Sequence, residues 1–147
     1  MAAKVMSLAP SKSCTTKANN MAWTFQQSTG KLTDPTGKLI ATGYAGGNCG
    51  KNPEGVNNPA MQNVACIGPL PQGKYTFGTP ENSAKLGPFA IPLIPEPGNQ
   101  MFGRSAFFMH GDTPQLNHSA SEGCIIMPLA IRKLCDASKD LNLNVIA

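Results

Sequence analysis

A chain of 147 residues with 41% hydrophobic residues is long enough for one domain with its own core. Only 14% of the residues are charged, and 15 glycines and 13 prolines favour short strands and turns over long helices. The net charge of +4 comes from scattered lysines without a dense basic run, which argues against a nucleic-acid-binding protein.

The first 20 residues are small and polar, and they predict a flexible N-terminal arm (1–20) before a single domain over residues 21–147. The apolar pieces within residues 1–10 are too short and too interrupted for a signal peptide. No run is long enough to span a membrane. We therefore expect synthesis in the cytoplasm, so any action outside it requires a route other than general secretion.

The first half of the domain is predicted to be strands and turns. Alternating apolar residues indicate strands at residues 21–26 and 38–42, with a turn and a second strand at residues 28–32. Residues 43–59 are rich in Gly and Asn and predict a long loop.

The second half is predicted to contain five more strands, at residues 74–77, 89–95, 105–109, 124–127 and 141–146. The prolines within residues 89–95 indicate an edge strand.

One helix is predicted between Pro128 and Ser138, because Leu129, Ile131, Leu134 and Cys135 can share an apolar face there. Together these patterns predict a mainly β fold with one short C-terminal helix.

The five cysteines are Cys14, Cys49, Cys66, Cys124 and Cys135, an odd number that leaves at least one thiol free. None of them forms a C-x-x-C pair and the chain has two histidines, so we expect no metal site and no cofactor. The loop-like surroundings of Cys49 and Cys66 are compatible with a disulfide in an oxidising compartment and equally with two free thiols.

The most informative pattern is a histidine that ends one apolar strand and a cysteine that begins another. His110-Gly111 closes the first strand, and Ser121-x-Gly123-Cys124 opens the second. If the two strands are neighbours, the imidazole can lower the pKa of the thiol or take its proton, as cysteine catalysis requires. Gly123 permits a sharp turn whose N–H groups can face an oxyanion.

The same residues have competing interpretations. A cysteine at a strand start is often a small buried hydrophobe. His118 is a second candidate base, although it lies in a polar loop and is less firmly positioned than His110. Asp112 can orient an imidazole or simply form a turn.

The His110-Gly111 and Ser121-x-Gly123-Cys124 motifs resemble the signature of the L,D-transpeptidase (YkuD-like) superfamily. Further segments are similar to its type VI secretion effector branch: residues 42–46, 68–75, 103–112 and 120–125. The resemblance runs from about Trp23 to about Leu134, and its specificity comes from the order of the segments.

This resemblance implies a compact β-sandwich-like L,D-transpeptidase catalytic domain acting on peptidoglycan. Cys124 would attack the carbonyl of the L-centre of diaminopimelate in a tetrapeptide stem and expel the terminal D-alanine, leaving a thioester. Water would then complete an L,D-carboxypeptidase reaction, and an amine such as a free D-amino acid would complete an L,D-transpeptidase reaction. The implied protein is an antibacterial toxin delivered by the type VI secretion machinery to the periplasm of target bacteria, with a cognate immunity protein.

The resemblance also implies residue roles. Cys124 is the nucleophile, His110 the base, and Gly123 with Cys124 the source of the oxyanion-binding N–H groups. Substrate contacts are expected from the positions Ser121, Arg104, Asp112 and Gly111, although a structural salt bridge suits Arg104 equally well.

The sequence departs from the superfamily pattern at two positions. Glu122 stands where many members have His, and Ile126 where many have a polar or basic residue. Both departures bear on substrate contacts and leave the nucleophile and base in place.

Two other functions compete with the transpeptidase interpretation. A papain-like amidase or endopeptidase would cut another cell-wall bond, but there the Cys usually precedes the His and opens a helix. A non-catalytic cell-wall-binding β domain would need stacking platforms, and one Trp and two Tyr provide few of them.

Overall fold

The computed structural model describes residues 22–115 and 119–147, so the predicted N-terminal arm and His118 lie outside the described residues. Within them, ten strands join one hydrogen-bonded sheet in the order β3-β2-β1-β10-β5-β7-β8-β9-β4, with β6 paired to β7. The strands are β1 (Trp23–Gln26), β2 (Lys31–Thr33), β3 (Leu39–Thr42), β4 (Tyr44–Ala45), β5 (Gly73–Phe77), β6 (Glu81–Ser83), β7 (Gly87–Pro95), β8 (Phe108–His110), β9 (Ile125–Ile126) and β10 (Asn142–Ile146).

The predicted class, mainly β with one short helix, is confirmed. Helix α1 (Leu129–Asp136) lies where it was predicted, but its buried face is different. Leu129 and Leu134 are exposed, whereas Cys135 and Arg132 are buried. In the described part of the chain, no helix has the length and apolar character needed to cross a membrane.

A single apolar core joins the two halves of the sheet. Trp23 and Phe25 enter it from β1, and Met109 and Ile125 enter it from β8 and β9. All four side chains are buried, and each large apolar side chain removed from water stabilises a fold by about 1.5–3 kcal/mol. The strands that carry the predicted nucleophile and base are therefore fixed against the centre of the domain.

The prediction that residues 89–95 form an edge strand is wrong. Strand β7 lies inside the sheet, where it pairs with β5 and β6 along one side and with β8 along the other. Pro92 falls between the segments paired with β5 and β6, and its carbonyl still accepts a hydrogen bond from the Gly78 N–H at 2.8 Å. The missing proline N–H therefore coincides with a gap in the ladder, where it costs little.

One predicted strand begins later than expected, and one strand was not predicted. The strand expected at residues 105–109 begins only at Phe108, because Ala106 has a positive φ of 63°, which interrupts extended backbone. Strand β6 was not predicted, since Glu81–Ser83 carries no apolar alternation.

The predicted loop at residues 43–59 contains β4, which pairs with β9 and closes that edge of the sheet. It also contains the 3₁₀ helix Pro53–Gly55, and a second one follows at Pro59–Met61. Tyr44 and Ala45 are both buried, so this segment is part of the folded core region. It reaches β9 closely at Gly43, where a Cβ atom would collide with the carbonyl oxygen of Ile126.

We predict that Gly43→Ala lowers the free energy of unfolding by about 1–3 kcal/mol, because the added methyl group overpacks the contact between the β3–β4 link and β9. Urea unfolding measures the change. Gly98→Ala is the matched control: a Cβ atom at Gly98 has no neighbour within 4 Å, so this variant should stay within about 0.5 kcal/mol of the wild type. Equal unfolding midpoints for the two variants would contradict this packing.

Candidate active site

Strands β8 and β9 are parallel neighbours, and their register brings the predicted base and nucleophile to one side of the sheet. Met109 pairs with Ile125, and both side chains are buried in the core. His110 follows Met109 and Cys124 precedes Ile125, so alternation directs both side chains away from that core. The pairing that the sequence analysis required is therefore present.

His110 and Cys124 line the same cavity, which has a volume of about 450 Å³. Its wall also includes Phe107, Arg104 and Ala106. The predicted nucleophile and base thus face one space of the size that small-molecule and peptide sites occupy.

The hydrogen bond of His110 Nδ1 determines which tautomer the imidazole adopts. Nδ1 lies 2.9 Å from the carbonyl oxygen of Gly111, which can only accept, so Nδ1 carries the proton and Nε2 keeps its lone pair. Burial lowers the pKa of His110, and the bond to Gly111 partly opposes that shift. His110 is therefore a neutral imidazole at neutral pH, with Nε2 free to accept a proton.

The Cys124 thiol is partly accessible at the cavity wall but closely surrounded by protein atoms. Burial raises its pKa to about 11, although the Phe108 N–H donates a hydrogen bond to Sγ at 3.3 Å and favours the thiolate. The thiol is therefore protonated at pH 7, and the resting pair is a thiol and a neutral imidazole. Of the two modes expected from sequence, proton transfer to His110 fits this electrostatic environment.

The Ser121 hydroxyl holds the turn that presents Cys124. It donates to the Cys124 carbonyl at 2.6 Å and accepts from the N–H groups of Gly46 at 2.8 Å and Gly123 at 3.0 Å. One donated and two accepted bonds use the whole capacity of a hydroxyl, and the side chain is fully buried. Ser121 therefore positions the turn, in place of the expected contact with substrate.

Gly123 is required by the close packing of that turn. Its φ is +133°, and a Cβ atom there would lie 2.7 Å from both Arg104 Nη2 and Phe107 Cε1. Its N–H is already donated to Ser121 Oγ, which removes it from the predicted pair of oxyanion donors. The Cys124 N–H is the member of that pair that remains.

Arg104 is buried and binds main-chain carbonyl groups in place of a carboxylate. Nη1 donates to Gln62 at 2.6 Å and Pro69 at 2.8 Å, and Nη2 donates to Gly68 at 3.0 Å and Glu122 at 3.2 Å. The guanidinium thus ties the loop before β5 to the turn before Cys124. With all four Nη hydrogens engaged, it cannot form the bidentate carboxylate contact expected from sequence.

Asp112 and Gly111 are not among the described residues that line the cavity. Asp112 Oδ1 accepts hydrogen bonds from the Tyr44 hydroxyl at 2.7 Å and the Thr113 N–H at 2.8 Å. The Tyr44 oxygen in turn accepts from the Ala120 N–H at 3.0 Å. Asp112 therefore connects the end of β8 to β4 and to the loop before Cys124, and Gly111 serves through its carbonyl.

Sequence reasoning missed a second buried arginine. Arg132 on α1 donates to the carbonyl groups of Met127, Phe89 and Pro88, and its Nη1 would lie 3.1 Å from a Cβ atom at Gly111. The sequence signal that could have identified Arg132 is its position as a charged residue between Ile131 and Cys135 on the apolar face of the helix. It fixes the segment after β9 against β7.

The cavity wall also contains residues that were not predicted as site residues, among them Lys85, from the turn between β6 and β7, and the thiols Cys49 and Cys66. Both thiols are exposed and free in this structure, which corresponds to the unpaired alternative. Among residues 22–115 and 119–147, no group of three or more His, Cys, Asp or Glu side chains is arranged to hold a metal ion.

Comparison with protein families gives one match, the Tlde1 domain, over residues 45–145. No curated protein and no solved structure matches the chain. The matched segment covers more than half of the chain, begins within β4 and ends within β10, and contains every residue that lines the described cavity. The chain therefore belongs to the Tlde1 domain family, a family of type VI secretion effectors.

Proposed function

We propose that this effector is a cysteine L,D-carboxypeptidase and L,D-transpeptidase that acts on the tetrapeptide stems of peptidoglycan. The observation that carries the proposal is the juxtaposition of His110 and Cys124, which come from adjacent parallel strands and line one cavity. Membership of a type VI secretion effector family supports a toxic activity in target cells. The resemblance of the His-Gly and Ser-x-Gly-Cys motifs to L,D-transpeptidases supports the reaction.

The acylation step begins with proton transfer from Cys124 Sγ to His110 Nε2. The thiolate attacks the carbonyl carbon of the L-centre of diaminopimelate and forms a tetrahedral intermediate, whose oxyanion accepts a hydrogen bond from the Cys124 N–H. When the intermediate collapses, the C–N bond breaks and protonated His110 gives its proton to the departing D-alanine amine. Cys124 is left as a thioester of the trimmed stem.

The deacylation step uses the same base. Neutral His110 takes a proton from water, which releases the tripeptide stem, or from the amine of a D-amino acid, which gives an exchanged stem. Regeneration of the Cys124 thiol completes either cycle. The exposed mouth of the cavity, where Cys49 and Cys66 lie, is accessible to both acceptors.

The proposed setting follows from the substrate. Peptidoglycan stems of a rival cell are reached from its periplasm, so the effector acts there after delivery by the secretion machinery. A producer with the same stems needs a cognate immunity protein that blocks the enzyme. No cofactor takes part in the steps assigned to Cys124 and His110.

We expect the purified protein to remove or exchange the terminal D-alanine of tetrapeptide muropeptides, with mass spectrometry as the readout. Cys124→Ala should abolish both products, and His110→Ala should lower the rate by about 10²–10⁴-fold, because proton transfer is lost. A Cys49→Ala, Cys66→Ala double variant keeps Cys124 as the thiol of the cavity and should still react.

His118→Ala is the matched control for the base, because His118 is the second of the two histidines of the chain. We expect it to retain most of the activity. A larger loss in His118→Ala than in His110→Ala would transfer the role of base to His118. Unchanged muropeptides with folded wild-type protein would instead favour another cell-wall bond or a binding function.

The pH profile of kcat/KM tests the protonation state of His110 in the free enzyme. Burial lowers the pKa of His110 below its ordinary 6.5, so the imidazole stays neutral and basic as the pH falls toward that lower value. Activity should therefore persist at pH 6.5 and decline only below it. An acid limb centred above 6.5 would contradict the lowered pKa of His110 as the base.

A further inference from the structure

The charged side chains that line the cavity are Lys85, Arg104 and Glu122, apart from the candidate base His110. Arg104 has committed its four Nη hydrogens to carbonyl groups of the protein. Lys85 is different, because 79% of its side chain is exposed and its ion pair with Glu122 Oε1 is 3.7 Å long. Lys85 is therefore the cation of the described cavity wall that can turn toward a ligand.

In the Lys85–Glu122 ion pair, the Glu122 carboxylate can be replaced by an anionic ligand. Ion pairs between exposed side chains contribute little stability, so an incoming anion can replace the Glu122 carboxylate at small cost. Glu122 lies two residues before Cys124, and its side chain is 44% exposed. In the free protein, Lys85 thus compensates a negative charge beside the nucleophile.

The position of Lys85 is set by the fold. It lies in the turn between β6 and β7, where the Ser83 hydroxyl accepts hydrogen bonds from the N–H groups of Lys85 at 3.2 Å and Leu86 at 3.0 Å. Strand β7 then pairs directly with β8, which carries His110. Burial has the largest effect on the pKa of Cys124 and of His110, but the Lys85 charge also lowers both values, as a cation near both groups should.

We propose that Lys85 binds the terminal carboxylate of the donor stem and so directs the enzyme to the last residue of the peptide, with Glu122 as the internal competitor for the same ammonium. This inference rests on the proposed function. A reaction that removes a terminal amino acid must distinguish it from an internal residue, and the free carboxylate next to the scissile bond is the feature that differs. A cation at the cavity mouth supplies that selectivity.

The test compares a tetrapeptide stem that ends in a free carboxylate with the same stem ending in a carboxamide. For the acid substrate, Lys85→Met should raise KM about five- to tenfold with little change in kcat, because the contact is made equally in the ground and transition states. Glu122→Gln should lower KM by up to about fivefold, because the competitor loses its charge. For the carboxamide substrate, both variants should match the wild type.

Lys31→Met is the matched control, because Lys31 is an exposed lysine on β2, away from the cavity, and its substitution should leave both substrates unaffected. Equal KM values for wild type and Lys85→Met on the acid substrate would overturn the inference, as would equal increases on both substrates. If the wild type processes neither substrate, the proposed function fails and this inference fails with it. An active wild type without the acid-specific effect refutes the role of Lys85 alone.

Discussion

The parallel pairing of β8 with β9 is the constraint on which the site depends. One register step in either strand would turn His110 or Cys124 toward the core and the other away from it. The buried pair Met109 and Ile125 opposes such a slip, because it would expose side chains that now lie in the apolar core. Core packing thus specifies the relative position of the two reactive groups.

The turn before Cys124 has no large apolar side chain and is held by polar contacts. Ser121 satisfies three groups around it with one hydroxyl, and Arg104 joins it to the loop before β5 through main-chain carbonyls. Each of these buried carbonyl and N–H groups would cost roughly 1–3 kcal/mol if its partner were removed. A rigid polar frame therefore keeps the nucleophile in place while the cavity side remains open.

The electrostatic environment keeps the Cys124 thiol and the His110 imidazole uncharged until a proton moves between them. Burial disfavours charge on both, raising the pKa of the Cys124 thiol and lowering that of the His110 imidazole. The charged pair then forms most favourably when substrate is present to share the charge. In the proposed reaction, this arrangement limits attack of a free thiolate on other electrophiles before the stem peptide binds.

Much of the fold was accessible from sequence, because the strands that bury alternate side chains have a clear period. Strands β1 and β10 were predicted from this alternation, and helix α1 was predicted from the helical spacing of its apolar residues. Strands β4 and β6 have two and three residues and too few apolar positions to show a period. The interior position of β7 could not be predicted either, because the gap in pairing at Pro92 depends on where two other strands end.

The candidate site could likewise be predicted only in part, because local motifs identify some residues whose roles depend on tertiary contacts. Cys124 and His110 were identified from local motifs, and the pairing of their strands was the condition under which those motifs predicted a site. The functions of Ser121 and Arg104 depend on distant partners such as Gly46 and Pro69, which no local pattern reveals. The motif therefore located these residues, while tertiary contacts decide what they do.

The most direct test of the account is to look for the acyl-enzyme. A reaction with tetrapeptide stem, quenched rapidly in acid and mapped by mass spectrometry, should show the tripeptide acyl group on the fragment that contains Cys124. Product formation with that fragment never modified, or with the acyl group on Cys49 or Cys66, would contradict a Cys124 nucleophile activated by His110.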